Sequence, residues 1–299
     1  MPANSPTWYP RENDPTSKRV LHRFRVDGWT YDTVHEERTV WSLFDDQDIQ
    51  RYLDLGYVLV PDVLDAAFVE DLRSGLEACR QADFGDLRES GQRTDSHFQG
   101  QYVLNLLLRD PAAARLLEPE PIVDTVRSLL GPCVMLNASV GLVSFPGASR
   151  TGTDWHADHV LTVSPQPPLA TQVPRVCCMV YLDDLDDDIG PTHVVPGSHL
   201  WRKIPSWKPD INPPSEALKP TAGSVLFFDS ALWHRGGAMV SKDRPRRAMV
   251  FQFLVGGSRQ MRETPPRPAQ GSYALELLER AEATGDRRML EVLSQVWYG

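Results

Sequence analysis

Apolar residues in the first third of the chain recur at helical spacing. Leu64, Phe68, Leu72, Leu76 and Cys79 step by three or four, which places them on one face of a helix. Asp65 stands where an N-cap is wanted. Ahead of it, Asp45, Asp46 and Asp48 offer acids for a first helical turn and Gly56 offers a stop, so a short helix is expected there. Tyr57, Val58, Leu59 and Val60 read as a strand ended by Pro61. Residues 83–100 are polar and glycine-bearing and read as a loop, with His97 solvated or structural. From 111 to 130, Ala114, Leu117, Ile122, Val126 and Leu129 predict one or two helices, broken near Pro119 and Pro121 and closed at Gly131-Pro132.

The period then changes. Residues 134–145, 176–182, 192–195, 224–228 and 248–255 are short β-like runs separated by Pro, Gly and Asp. Strands without a helix between each pair argue for antiparallel pairing. The expected fold class is mainly β with flanking helices: a double-stranded β-helix, that is a cupin-like jelly roll, with helices on one outer sheet. Residues 1–44 carry prolines, charges and several aromatics and are expected to be an extension packed on the core. Residues 45–262 are expected to be one jelly-roll domain with its N-terminal helices. Residues 263–299 are expected to be a proline-rich linker followed by helix, from the spacing of Leu275, Leu278, Ala281, Leu290, Leu293 and Val296. That end would cover the core or make a dimer contact. Residues 200–220 form a long insert with Trp201 and Trp207, expected to be a lid.

Composition narrows the function. The chain has 299 residues, 41% of them hydrophobic, which suits a globular protein. A net charge of −9 weighs against nucleic acid and acidic membranes as partners, and weakly against polyanionic substrates unless one basic pocket overrides it. No apolar run approaches a membrane span, and the N-terminus lacks the pattern of a secretory signal. Cys79, Cys133, Cys177 and Cys178 form no CxxC pair and read as reduced thiols of a cytoplasmic protein, monomeric or homodimeric. Asp183, Asp184, Asp186, Asp187 and Asp188 lack EF-hand spacing and read as a solvated turn.

The chemistry gathers in Asp154-Trp155-His156-Ala157-Asp158-His159. On a strand, His156 and Asp158 share one face and His159 points away. A distant histidine, His234, lies in Leu232-Trp233-His234-Arg235-Gly236. Two histidines and one carboxylate are the ligand set of the facial triad that holds Fe(II) and leaves positions open for substrate and O2. The expected metal and catalytic residues are His156, Asp158 and His234. His159, His193 and His199 are expected to be supporting or core histidines.

The motifs around this set fall in a definite order: Asp183-Asp184, Ile189-Gly190-Pro191-Thr192, Val195-Pro196-Gly197-Ser198-His199, then residues 222–229 and Arg244-Pro245-Arg246-Arg247-Ala248. The series resembles the phytanoyl-CoA dioxygenase family of Fe(II)/2-oxoglutarate-dependent oxygenases, over roughly residues 50–255. The resemblance implies the same jelly roll, an oxidoreductase using Fe(II), 2-oxoglutarate and O2, and a small-molecule substrate, with tailoring of a secondary metabolite as one role. It also implies an arginine fork for the tail carboxylate of 2-oxoglutarate, on the strand after the distal histidine. Arg244, Arg246 and Arg247 are candidates. Strand parity puts Arg246 with Ala248, Val250 and Gln252, the small and partly polar face, and Arg247 with bulky Met249, Phe251 and Phe253. Arg246 is therefore expected to bind 2-oxoglutarate, with Arg247 second. Family members often follow the distal histidine with Gly-Ser; here Arg235-Gly236 follows. Related halogenases lack the carboxylate that Asp158 supplies, so hydroxylation, desaturation or ring closure is expected and chlorination is not. Two other classes stay open: a cupin-like metal-dependent hydrolase or isomerase without 2-oxoglutarate, and a non-catalytic ligand-binding β-barrel.

Overall fold

A computed structural model describes residues 18–27, 33–86, 100–117, 121–131, 134–147, 152–158, 174–201, 205, 212–255 and 273–293. Residues 1–17, the His97 loop, Cys133, His159, Trp207 with most of the expected lid, and the proline-rich linker lie outside the described residues. Two strands, β1 (Lys18–Asp27) and β2 (Thr33–Trp41), pair antiparallel with Lys18 opposite Trp41. The sequence pattern named only a packed extension here. The period-2 signal is present, since Val20, Phe24 and Val26 alternate with Arg19, Arg23 and Arg25. β2 lies against a helix of the main body.

Helix α1 (Asp46–Leu55) has a complete capping box. Asp45 accepts from the Asp48 amide at 2.8 Å, and the Asp48 carboxylate accepts from the Asp45 amide at 3.4 Å. Gly56 ends it at φ 85°, where a side chain would be strained and a Cβ would collide with His199. Strand β3 (Tyr57–Val60) leads to α2 (Ala66–Phe84), which Asp65 caps on the Phe68 amide at 2.7 Å. Then come β4 (Gln101–Leu104), α3 (Pro111–Ala114) and α4 (Pro121–Leu130). The β part follows as β5 (Val134–Ser144), β6 (Arg175–Tyr181), β7 (Thr192–Val194), β8 (Glu216–Leu218), β9 (Val225–Asp229), β10 (His234–Gly236) and β11 (Arg246–Val255). Helices α5 (Tyr273–Thr284) and α6 (Arg287–Val292) close the described chain. No helix among the described residues is long and apolar enough to cross a membrane.

Strands β3 to β11 form the two facing sheets of a double-stranded β-helix. One has six strands in the order β3-β9-β6-β11-β5-β4, and the other has three in the order β10-β7-β8; every pair is antiparallel. Side chains alternate across the large sheet. Its outer face packs Cys178, Val180, Phe227, Met249, Phe251 and Phe253 against Leu72 and Leu76 of α2, Ile122 and Val126 of α4 and Leu277 of α5. Full burial of each such side chain contributes about 1.5–3 kcal/mol. Its inner face packs Tyr57, Cys177, Met179, Tyr181, Leu226, Phe228 and Ala248 with Ile189, Val194, Leu232 and Met239. All seven residues of β6 are buried because β6 lies in the middle of both layers. Strands β4, β8 and β10 are three or four residues long, too short for a period to show in the sequence.

Candidate active site

His156 and His234 face each other across a single antiparallel bridge. The His156 amide donates to the His234 carbonyl at 3.0 Å and the His234 amide returns the bond at 2.9 Å. The pairing runs on through Thr153, whose amide donates to the Gly236 carbonyl at 2.9 Å and whose hydroxyl accepts from the Gly236 amide at 2.8 Å. Directly opposed residues put their side chains on the same face, and the two imidazole centroids stand 4.3 Å apart. Phe228 meets the His234 ring edge-on at 4.9 Å.

The local backbone also sets each ring's tautomer. Nδ1 of His156 lies 2.9 Å from the Asp154 carbonyl, and Nδ1 of His234 lies 2.9 Å from the Leu232 carbonyl. A carbonyl only accepts, so each ring donates from Nδ1 and turns Nε2 away from that bond. Asp158 joins them: Oδ1 lies 3.8 Å from Nε2 of His234. Its other oxygen, Oδ2, accepts from the Cys177 thiol and from the Gln252 amide, each at 3.2 Å. Gln252 is held in turn by Asn137, whose amide donates to Oε1 at 3.3 Å. Burial first, and then the Asp158 carboxylate, push the Cys177 thiol well up, so it remains a protonated donor.

One ligand atom from each of His156, Asp158 and His234 lies within 4.8 Å of the others, and among the described residues this is the one such group placed to hold a metal ion. Two imidazoles and a carboxylate with one oxygen turned inward suit a divalent first-row metal bound on one face. The acidic run is used otherwise. Asp183 holds Arg247, Asp184 accepts from the Ala222 amide, Asp186 pairs with Arg244 and Asp187 with Lys219. His199 rests its Nε2 on the Leu53 carbonyl at 3.1 Å. His193 stands opposite Arg235, where burial and then the Arg235 charge lower its pKa.

The three candidate arginines fall in three environments. Arg244 pairs with Asp186 at the surface. Arg247 grips Asp183 as a fork, with Nε at 3.0 Å, Nη2 at 2.7 Å and its own amide at 2.7 Å. Arg246 is 8% exposed, and among the described residues its guanidinium makes one bond, from Nη2 to the Thr192 hydroxyl at 3.2 Å. Tyr181 donates to the same hydroxyl at 2.9 Å. Among the described residues no carboxylate pairs with Arg246, and burial lowers its pKa. Gly236 makes room for it, since a Cβ there would come within 2.8 Å of Nη1.

Sequence reasoning overlooked Cys177, Asn137, Tyr181 and Thr192 as neighbours of this site. Parity had Gln252 on the right face, and Cys177 lies opposite Gln252 in the β6–β11 register. No sequence spacing announces that pairing.

The sequence profile described as phytanoyl-CoA dioxygenase matches residues 52–248. An uncharacterized protein of Mycobacterium tuberculosis is 32% identical over 205 residues, 67% of this chain and 71% of that protein. The dioxygenase trt7 of Aspergillus terreus is 32% identical over 34% of this chain and 35% of its own length. Among solved structures, HygX of Streptomyces hygroscopicus with nickel and 2-oxoglutarate bound superposes with a TM-score of 0.59 at 19% identity, covering 76% of this chain and 93% of HygX. SnoK, a non-heme α-ketoglutarate-dependent carbocyclase from nogalamycin biosynthesis, superposes with a TM-score of 0.58 at 21% identity, covering 72% and 85%. At these identities the structural likeness shows the shared fold.

Proposed function

Because the chain belongs to the phytanoyl-CoA dioxygenase family, whose enzymes use Fe(II), 2-oxoglutarate and O2, we propose that it oxidises a small molecule at His156, Asp158 and His234. The observation that carries this reading is the convergence of those three ligand atoms within 4.8 Å. Iron(II) bound there supplies O2 activation coupled to oxidative decarboxylation of 2-oxoglutarate. The chain's own residues prepare the ground for it. The Asp154 and Leu232 carbonyls fix both rings with Nε2 turned to the metal position. Cys177 and Gln252 hold one oxygen of Asp158 and so aim the other. Arg246 receives the tail carboxylate of 2-oxoglutarate, with Thr192 and Tyr181 steering its fork. Phe228, Met179 and Leu232 pack together as the apolar part of the inner face beside these groups.

Asp158 would hold the metal where related halogenases, lacking this carboxylate, leave room for a halide. The reaction class is therefore hydroxylation, or desaturation or ring closure, and not chlorination. Solved relatives from nogalamycin biosynthesis, the carbocyclase SnoK and the epimerase SnoN, support a role in natural-product tailoring and widen the range of outcomes. A metal-dependent hydrolase would have no use for the buried cation of Arg246.

Metal analysis with 2-oxoglutarate binding under nitrogen tests the reading. Iron-loaded protein should bind 2-oxoglutarate with a visible charge-transfer band, and the band should vanish in His234→Ala. Tight metal binding without 2-oxoglutarate binding would point to the hydrolase class. Product mass from turnover under 18O2 in chloride buffer separates hydroxylation from desaturation, and a chlorinated product would refute the role given to Asp158.

A further inference from the structure

A second arginine lies on the inner face with less company than Arg246. Arg175 opens β6 and shares its face with Cys177, Met179 and Tyr181. It is 6% exposed, and its buried Nε has no hydrogen-bond partner. Among the described residues, no carboxylate lies within ion-pair distance of it and no hydrogen bond from its guanidinium is found. A guanidinium carries five donors in a rigid fork, and a buried charge left unpaired is destabilising. Ser230 falls across from it. The β6–β9 register ends with Val176 opposite Asp229, and the Ser230 amide donates to the Arg175 carbonyl at 3.2 Å. The Ser230 hydroxyl is likewise buried and unpartnered. A cationic fork and a free hydroxyl side by side are complementary to an oxyanion.

Position says which anion. Arg175 lies two residues, about 7 Å of strand, beyond Cys177, the residue that grips Asp158. Arg246 lies at the opposite end: Leu254 of β11 pairs with Arg175, whereas Arg246 is eight residues earlier on that strand, roughly 27 Å of strand away. The candidate metal group stands between the two arginines. A carboxylate that reaches Arg246 does not also reach Arg175, so Arg175 is left for an anion other than the co-substrate's tail.

Building on the oxygenase reading, we infer that Arg175 and Ser230 form an anion subsite that recognises a carboxylate, phosphate or sulfate group on the substrate. The charge anchors one end of the molecule and presents its apolar part to the metal. The overall negative charge of the chain makes such a local cation the more selective, since anions without a matching group are repelled.

The test uses the full chain loaded with Ni(II) and 2-oxoglutarate, which does not turn over. Phenylacetate, phenyl phosphate, phenyl sulfate and the neutral phenylacetamide are titrated by calorimetry. At least one anion should bind wild type and phenylacetamide should not. Arg175→Met should weaken that anion by roughly 30-fold or more and leave 2-oxoglutarate affinity unchanged; Arg175→Lys, which keeps the charge without the fork, should fall between. Without ligand, Arg175→Met should melt no lower than wild type, because removing an unpaired buried charge relieves the fold. If the methionine variant does not fold, the lysine variant carries the comparison. The inference is overturned if no anion binds wild type, or if Arg175→Met binds the anion as well as wild type. It is also overturned if the variant loses 2-oxoglutarate instead, which would make Arg175 a co-substrate residue. Failure of wild type to take up 2-oxoglutarate would sink the oxygenase reading instead, and titration of the metal-free protein would still decide the anion subsite.

Discussion

The two faces of the six-stranded sheet are made from the same strands and behave as opposites. On β11, Met249, Phe251 and Phe253 face the helices and are at most 1% exposed. On the same strand, Arg246 and Gln252 face the other sheet beside Ala248 and Val250. Neighbouring arginines make the contrast plain. Arg247 on the helix face is gripped by Asp183 through Nε and Nη2, while Arg246 one residue away has, among the described residues, a single hydroxyl partner. β6 repeats the division: Cys178 packs among the apolar residues of the helix face, and Cys177 spends its thiol on Asp158. The helix face meets its arginine with a carboxylate, as a largely apolar face must meet a charge. The other keeps buried polar groups with open valences, which marks a surface awaiting ligands.

That division can be broken most completely at the bridge. His156→Ala and His234→Ala should each abolish metal retention, read as metal per chain after gel filtration, while far-UV circular dichroism stays unchanged. Full metal content in both variants would undo the assignment. Next, Arg246→Leu should raise the 2-oxoglutarate KM a hundredfold or more, in line with the ~3–5 kcal/mol lost when a buried charge pair is broken on one side. Arg247→Leu should leave that KM near wild type and lower the unfolding free energy by about 1–3 kcal/mol, because Asp183 loses its forked partner and keeps Arg73 alone among side chains of the described residues. The reverse pattern would show that the two faces have been exchanged.

The apolar face answers to stability alone. Phe251→Ala should cost about 3–5 kcal/mol in urea unfolding, with metal and 2-oxoglutarate affinities intact at temperatures where the variant is folded. The smallest effect sharpens the polar face. Cys177→Ala should weaken Co(II) or Ni(II) binding by about 10–100-fold against a competing chelator, and Cys177→Ser, which keeps a donor, should recover most of it. Equal loss in both variants would give Cys177 a packing role only.

Much of this was legible along the chain. The apolar stripe of α2, the Asp45 and Asp65 caps and the Gly56 stop are local features, because caps and periodicity act within one or two turns. The spacing of His156 and Asp158 announced two groups on one face, and the parity of β11 separated Arg246 from Arg247 before any fold was in hand. The β1–β2 pair carried its alternation openly among arginines and was passed over in favour of the prolines and charges around it.

The tertiary structure decided everything that depends on which strands become neighbours. His234 stands 78 residues after His156, the difference of their positions, and only the bridge between them makes a pair of them. Cys177 and Gln252 meet Asp158 because β6 and β11 lie side by side in one register. Arg175 stands just ahead of the apolar run 176–182, and nothing in its local sequence marks it as buried. Its burial and its want of a partner come from the layers that close around β6. Local sequence sets which way a side chain points from its own strand, whereas the surroundings it meets there are set by chain segments dozens of residues away.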